Sequence, residues 1–318
     1  MSWYLIRRAG QAIVVVIGVM ILTFILLHLE PGSAARAVLG LKATPARVAI
    51  FDHTYGLNKP LYTQFFIYMK QLFSGNFGIS YQLQQPVSTL IAQRLPRDAL
   101  LLGLSTLVAL AVGVPTGIYQ AIHHNEFIDD VSAGTWFTLY SAPDFLEAFL
   151  LIALLCVQFH IFQPNFPGGI STVGGVLTDW RALVLPVFVL SINSVANFSQ
   201  FSRSTAIQVL TSDYIRAARA KGLPRRLVLS RHVLRNSLLP VITILGLSLP
   251  DIVAGAVIAE SVFNFPGMGL LFWQSALAHD FPVMLGATFI IGIATVTGNL
   301  LADVAYGVLD PRIRHVSS

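Results

Sequence analysis

The chain alternates long uncharged apolar runs with polar stretches broken by proline and glycine. Residues 9–29 carry no charge over 21 positions, enough for the roughly 20 residues that cross a bilayer as a helix. A cleaved signal peptide would have an apolar core of about 7–15 residues, shorter than this run. Arg7 and Arg8 stand just before it, without the rest of a twin-arginine pattern. Further apolar runs at 99–122, 131–161, 182–201, 238–263 and 282–306 predict five more spans.

Polarity rises over residues 30–98, where Pro31, Gly32, Pro45, Gly56, Pro60, Gly75, Gly78, Pro86 and Pro96 cut the chain into short pieces. This predicts an external insertion after the first span. Within it, Leu61, Phe65, Met69, Leu72 and Phe73 recur on one face between Pro60 and Gly75, the pattern of an amphipathic helix. Its aromatic residues Tyr62, Phe65, Phe66 and Tyr68 suit a membrane-interface belt. In the second span, Gly113 and Gly117 form a small-residue face on which another helix can pack closely. The third run holds Pro143, Asp144 and Glu147 near its middle, where acids are costly in lipid.

Composition agrees with a membrane protein: 318 residues, 55% hydrophobic and 11% charged, against a usual share of about 25% charged in soluble domains. The single cysteine, Cys156, excludes a disulfide framework within the chain. Its apolar surroundings predict a small buried hydrophobe. The formal net charge of +5 is concentrated in one place. Between Asp213 and Arg235 lie seven basic residues (Arg216, Arg219, Lys221, Arg225, Arg226, Arg231, Arg235) and one acid, while elsewhere 13 basic residues face 14 acidic ones. The positive-inside rule puts this loop, and both basic termini, on the cytoplasmic side. The link at 123–130 should also be cytoplasmic, yet it has no Lys or Arg and carries Glu126, Asp129 and Asp130.

The local grammar of the basic loop predicts more than charge. Ser212 is a candidate N-cap and Asp213 suits the positive end of a helix. Lys221 falls in the last turn, Gly222 can adopt the left-handed conformation that ends it, and Pro224 can open a second helix. Ala217, Ala218 and Ala220 leave the first helix thin, so that a partner could approach its backbone. Lipid headgroups would account for the arginines alone, but not for the alanines, the hinge and the paired helices.

The stretch YIRAARAKGLPRRLVLSRHVLRNSLLP resembles the cytoplasmic loop of the membrane-spanning subunits of ABC importers, whose pattern is Glu-Ala-Ala, three residues, then Gly. It is most similar to the dipeptide/oligopeptide/nickel branch. The similarity extends over nearly the whole chain, through YGLNKPLYTQFFIYMKQLFSGNFGIS, the RLP before the second span, IAESVFNFPGMG and NLLADVAYGVLDPRIR. Gly222 takes the motif glycine and Ala217 and Ala218 its alanines, whereas Arg216 stands where the motif has Glu. The acidic link at 123–130 also departs from the basic one expected of the family.

The resemblance implies an all-α polytopic fold with six transmembrane helices: residues 1–29 as N-terminal end and first helix, 30–98 as external insertion, 99–306 as permease core and 307–318 as cytoplasmic tail. A coupling loop at 207–237 would seat Arg216, Ala217, Ala218, Arg219, Ala220, Lys221, Gly222 and Leu223 against an ATPase subunit. It further implies a second homologous permease subunit, two ATPase subunits or one two-headed ATPase, an external substrate-binding protein, and a bacterial or archaeal plasma membrane. The cargo would be peptides, with nickel or oligosaccharides as alternatives. The chain has no GxxxxGK[ST] run, so ATP and Mg would be bound by the partner subunits. A secondary transporter lacks support because no inverted-repeat halves are visible, and an intramembrane hydrolase because neither GxSxG nor HExxH occurs. The eight histidines are scattered without metal-ligand spacing, and nothing in the composition points to nucleic acid.

Candidate residues of the translocation path are Asn193 and Asn197, four apart in the fourth span, and Asp251, in a Gly/Ala-rich segment of the fifth. Glu260, before FNFPGMG, is expected to hold the external loop. Asn299 and Asp303 are expected to form a structural polar cluster near the inner surface. Asp144 and Glu147 would either attract a peptide's amino terminus or lie at a kinked, water-exposed break after Pro143.

Overall fold

The computed structural model describes residues 2–29, 32–167, 172–247 and 256–309. Among them, regular structure is helical apart from an isolated bridge between Ile79 and Pro86. Helix α1 is Ser2–Leu29, with an apolar stretch at Gly10–Leu29 of mean hydropathy 2.9. Val14, Leu22 and Leu26 on it are more than half exposed, a surface suited to lipid or to another apolar helix. Its other face carries Met20, Phe24 and Leu27 into the protein.

The insertion is a set of short helices: α2 (Ala34–Leu39), α3 (Pro45–Tyr55) and α4 (Leu61–Phe73). Thr44 caps α3 by accepting the Arg47 N–H, Pro45 fills its first position, and Gly56 ends it at φ 71°. On α4, Met69 and Leu72 are buried and Phe65 and Tyr68 pack beside them. The aromatic stripe therefore divides: Tyr62 and Phe66 are exposed, while the Tyr68 hydroxyl donates to Pro282 O at 2.8 Å. An interface belt is the wrong description for Tyr68, because a long-range tertiary contact claims its polar end.

Helix α5 (Val87–Ile122) starts well before residue 99 and contains both Pro96 and Pro115. Pro96 was expected to break the chain. The helix continues through it because Val87, Leu90 and Ile91 on the preceding turns are buried against Met268, Leu271, Val283 and Ala287, which offsets the one backbone bond a proline removes. After a short link come α6 (Phe127–Ser141) and α7 (Asp144–Leu151), the latter continuing as a π-helical turn to Gln158. The two are bent by 99°, so the third expected span is not one straight helix. Pro143 is the cause: the residue before a proline is pushed to extended geometry, and Ala142 sits at ψ 137° and Pro143 at ψ 136°.

Helices α8 (Val173–Thr178) and α9 (Trp180–Thr211) follow. α9 runs past the expected end near residue 201 and packs along α5. The close approach is set by the two glycines: a Cβ on Gly117 would lie 2.2 Å from Ser199 O, and one on Gly113 would lie 2.8 Å from Val195 O. Helix α10 is Asp213–Ala220 and α11 is Arg225–Leu227, which passes through a π-helical stretch, Val228–Val233, into α12 (Leu234–Leu247). The expected second short helix is thus the foot of the fifth span. Part of that span lies outside the described residues. Beyond it are α13 (Val257–Phe263), α14 (Met268–Leu277) and α15 (Phe281–Leu309). Among the described residues, four helices are long and apolar enough to cross a membrane, and the bent pair makes up to five. The protein is an all-α polytopic membrane protein.

Two carboxylate clasps fasten the outer parts. Asp280, between α14 and α15, accepts the Ser80 hydroxyl and the N–H groups of Tyr81 (3.0 Å) and Gln82 (3.2 Å), anchoring the insertion across some 200 residues of sequence. Burial, and then the nearby Asp280 carboxylate, raise the pKa of the Tyr81 hydroxyl and keep it neutral. In the second clasp, Asp98 on α5 accepts the Met268 N–H at 2.7 Å, and Glu260 on α13 accepts the N–H groups of Leu270 (2.8 Å) and Ala256 (2.6 Å). Both carboxylates are fully buried. They occupy the N-terminus of α14, where unpaired N–H groups and the helix dipole favour negative charge.

Candidate functional site

The basic loop folds into a short helix and a turn that projects from the ends of α9 and α12. Its one buried side chain in α10 is Ile215, fully enclosed with Ala121, Ala206, Val209, Val228 and Val233. Ile215 anchors the helix, the Asn236 amide donates to the Tyr214 hydroxyl beside it at 3.0 Å, and the other face stays open. Arg216, Ala217, Arg219, Ala220, Lys221 and Gly222 are all exposed, with Ala218 and Leu223 half-buried.

The turn closes by its own backbone. The Gly222 N–H donates to Arg219 O (2.9 Å) and the Leu223 N–H to Ala218 O (3.2 Å), with Gly222 at φ 79°. These are the paired bonds of a Schellman ending, which satisfy carbonyls the helix would leave open. Nothing approaches within 4 Å of where a Cβ on Gly222 would sit. Leu227 and Val228 N–H groups then return to Pro224 O, starting the next helix. Ser212 stands at the N-cap, but its hydroxyl donates back to Val209 O and caps nothing ahead. Arg216 pairs with Asp213 at 3.3 Å and donates to Thr211 O. This pair is largely exposed, and such pairs add little stability.

The second candidate region is the polar face of α9. Asn197 donates to Asn193 O at 3.1 Å, and the Asn193 amide donates to Asp144 Oδ1 at the start of α7. Asn197 lines a cavity of about 460 Å³ between α6 and α9 together with Tyr140, Gln200 and Arg203. Asn193 points instead toward the bend after Pro143. At the far end of the cavity, Arg203 grips Asp129 through Nε (2.8 Å to Oδ1) and Nη2 (2.7 Å to Oδ2). Asp129 is 1% exposed and also meets His124 and the Asn125 N–H. A bidentate arginine is the partner a buried carboxylate requires. The acid in the 123–130 link is therefore a ligand for α9.

Sequence reasoning passed over Gln120, Asp129 and Arg203. Gln120 bridges Ser199 and Ser132, joining α5, α9 and α6. Arg203 was the one available signal: an arginine well inside a helix whose partner had to come from elsewhere in the chain. Of the remaining candidates, Glu260 lies in the clasp already described, far in sequence from α9. Asn299 is half-buried on α15. Asp303 belongs to the same helix, with its side chain outside the described set, and Asp251 lies outside the described residues.

Two family comparisons cover nearly all of this architecture. Residues 113–315 match the family described as binding-protein-dependent transport system inner membrane component. Residues 1–102 match the N-terminal region of such membrane components. The chain belongs to this family. The permease is 37% identical over 316 residues to the oligopeptide transport system permease protein AppB of Bacillus subtilis, covering 99% of this chain and 100% of that protein. It is 33% identical over 340 residues to the dipeptide transport system permease protein DppB of Escherichia coli K12, covering 99% of each. To the oligopeptide transport system permease protein OppB of Salmonella typhimurium it is 34% identical over 314 residues, covering 98% of this chain and 99% of that one. It is thus a multi-pass permease subunit of the ABC importer type.

Proposed function

We propose that this permease carries peptides inward as one of two membrane-spanning subunits, with cargo delivered by an external binding protein. The α10–Gly222 turn sits in a groove of an ATP-hydrolysing subunit, and two such subunits, or one two-headed ATPase, supply Mg-ATP chemistry that this chain lacks. Closure of the ATPases pulls the turn, and the turn moves α9 and the Val228–Val233 stretch that leads into α12, to both of which Ile215 ties it. The path between the two permease subunits thereby alternates from outward-open to inward-open. Both termini and the coupling turn face the cytoplasm of a bacterial or archaeal cell.

The observation that carries this reading is the self-contained turn. It satisfies its own backbone, buries one side chain and presents a thin, alanine-lined surface. A loop serving orientation alone would need none of these features. The names of the relatives favour dipeptides and oligopeptides as cargo over nickel or sugars. Asn193, Asn197 and Asp251 are assigned to the path, and Glu260, Asn299 and Asp303 to structural support.

The test is reconstitution. Co-expressed with its ATPase, partner permease and binding protein, the chain should co-purify with the ATPase and give ATP-dependent peptide uptake in proteoliposomes. Failure to retain any ATPase, with the permease pair intact, would remove the coupling role.

A further inference from the structure

Helix α9 meets its two neighbours in different ways. Against α5 it is close-packed, since a Cβ on Gly113 or Gly117 would strike its backbone, and such a contact leaves no room to slide. Against α6 it is not. The cavity of about 460 Å³ lies between them, with Ala133, Phe137 and Tyr140 on one wall and Asn197 and Gln200 on the other. What holds α6 is polar and gathered at its base. Asp129 takes the bidentate Arg203 from α9, and the Gln120 amide of α5 donates to the Ser132 hydroxyl at 2.9 Å. Arg203 stands about two turns before α9 ends at Thr211 and the α10 turn begins.

α6 also lies between two backbone breaks. Before it is the link 123–126, with Asn125 at φ 66°. After it is the 99° bend at Pro143. Beyond that bend α7 is fastened to α9: Asp144 accepts the Asn193 amide, and Ala148 is buried with Leu185 and Val189. Glu147 is 7% exposed, so this is not the water-exposed break expected there. The result is a strut with a hinge at each end and a void beneath its middle. Hinges of this kind absorb a change in φ and ψ while the elements on either side keep their packing.

We propose that α6 is a moving wall of the translocation path and that the Asp129–Arg203 pair is its latch, which parts when the α10 turn pulls α9. The inference rests on the importer reading and adds a named moving part to it. A bidentate pair suits a latch because its two hydrogen bonds depend on one relative placement of carboxylate and guanidinium. Parting strands neither charge. Arg203 is already 29% exposed, and Asp129 keeps the Asn125 N–H and His124 on its own side of the gap.

The complete complex of both permeases, ATPases and binding protein tests this in proteoliposomes with the ATPases facing outward. Ala133→Cys and Gln200→Cys, in a Cys156→Ser background with cysteine-free partners, are joined across the cavity by a short bis-methanethiosulfonate. ATP-dependent trialanine transport should fall about tenfold or more and return on reduction. Transport at the unlinked rate overturns the proposal. So does an equal loss when either cysteine alone is capped with methyl methanethiosulfonate, because filling the cavity would then suffice. In the resting complex, Asp129→Asn should raise the rate at which a charged thiol reagent on the ATPase side modifies Gln200→Cys about tenfold, since that rate follows the population of the parted state. Asp129→Glu should restore slow modification. A pair that only stabilises the fold would lower the thermal midpoint and leave this rate unchanged, and that result also overturns the latch. The importer reading survives either failure if the wild-type complex keeps its ATPases and transports trialanine, and it falls only if the wild type does neither.

Discussion

Two helix-to-helix turns use nearly the same residues to opposite ends. At 221–224 the chain reads Lys-Gly-Leu-Pro, and at 264–267 it reads Asn-Phe-Pro-Gly. In the first, the left-handed residue is Gly222, and open space surrounds it. In the second, Asn264 takes the left-handed position at φ 50°, and Gly267 is hemmed in: a Cβ there would lie 2.0 Å from Asp98 Oδ1 and 2.4 Å from Glu260 Oε2. The glycine at 222 is needed for its backbone conformation, and the glycine at 267 for its missing side chain. The first turn is finished locally and offers its surface outward. The second is held also by the carboxylates of Asp98 on α5 and Glu260 on α13, and it braces the protein.

The contrast predicts a graded series. Gly267→Val should have the largest effect, on the order of 3 kcal/mol or more of lost stability, because two buried carboxylates that hold the N-terminus of α14 must both shift. Loss of monodisperse protein in size-exclusion chromatography is the readout, and a normal yield would break the comparison. Asp98→Ala comes next. It strands the Met268 N–H in a buried site and should cost about 1–3 kcal/mol in thermal unfolding. Asp98→Asn, which keeps an acceptor, should cost less.

Gly222→Leu should cost only about 1 kcal/mol of stability, the strain of a side chain in left-handed geometry. Its effect should appear in function, as at least a tenfold loss of ATPase retention at constant membrane insertion, roughly the equivalent of 1.4 kcal/mol. Substrate-stimulated hydrolysis at the wild-type rate would sink the coupling role. Smallest of all, Arg216→Glu replaces an exposed pair with a like-charge neighbour of Asp213. Its stability effect should stay within about 0.5 kcal/mol. ATPase binding should persist if small residues and the hinge govern docking, whereas its loss would show that the partner's groove is acidic at that point.

The turn at Gly222 was the most legible part of the molecule because its determinants are local. Ser212, Lys221, Gly222 and Pro224 punctuate the chain over a few residues, and the structure ends and restarts the helices at those places. Ile215 is the exception. Nothing in its neighbours marks it as the anchor, since Ala121 and Val233 come from elements about a hundred residues apart. The polar face of α9 was half legible. Asn193 and Asn197 share a helical face by spacing alone, but the partner of Asn193 is Asp144, and the cavity they approach ends at a pair formed by Asp129 and Arg203.

By itself the sequence determined the membrane class, the succession of apolar helices, the amphipathic α4 and the glycine-ended turn at 222. Each depends on hydrophobic periodicity or on the backbone preference of one residue, and both act over a turn or two of chain. Only the tertiary structure decided that Pro96 is carried inside a helix while Pro143 bends one by 99°. The two prolines differ in what packs around them. It also decided which buried charges have partners: Asp129 has Arg203, Asp98 and Glu260 have the N-terminus of α14, and Glu147 has none among the described residues. Pairing of charges is a long-range choice, made by which helices meet, and a linear pattern of residues cannot specify it.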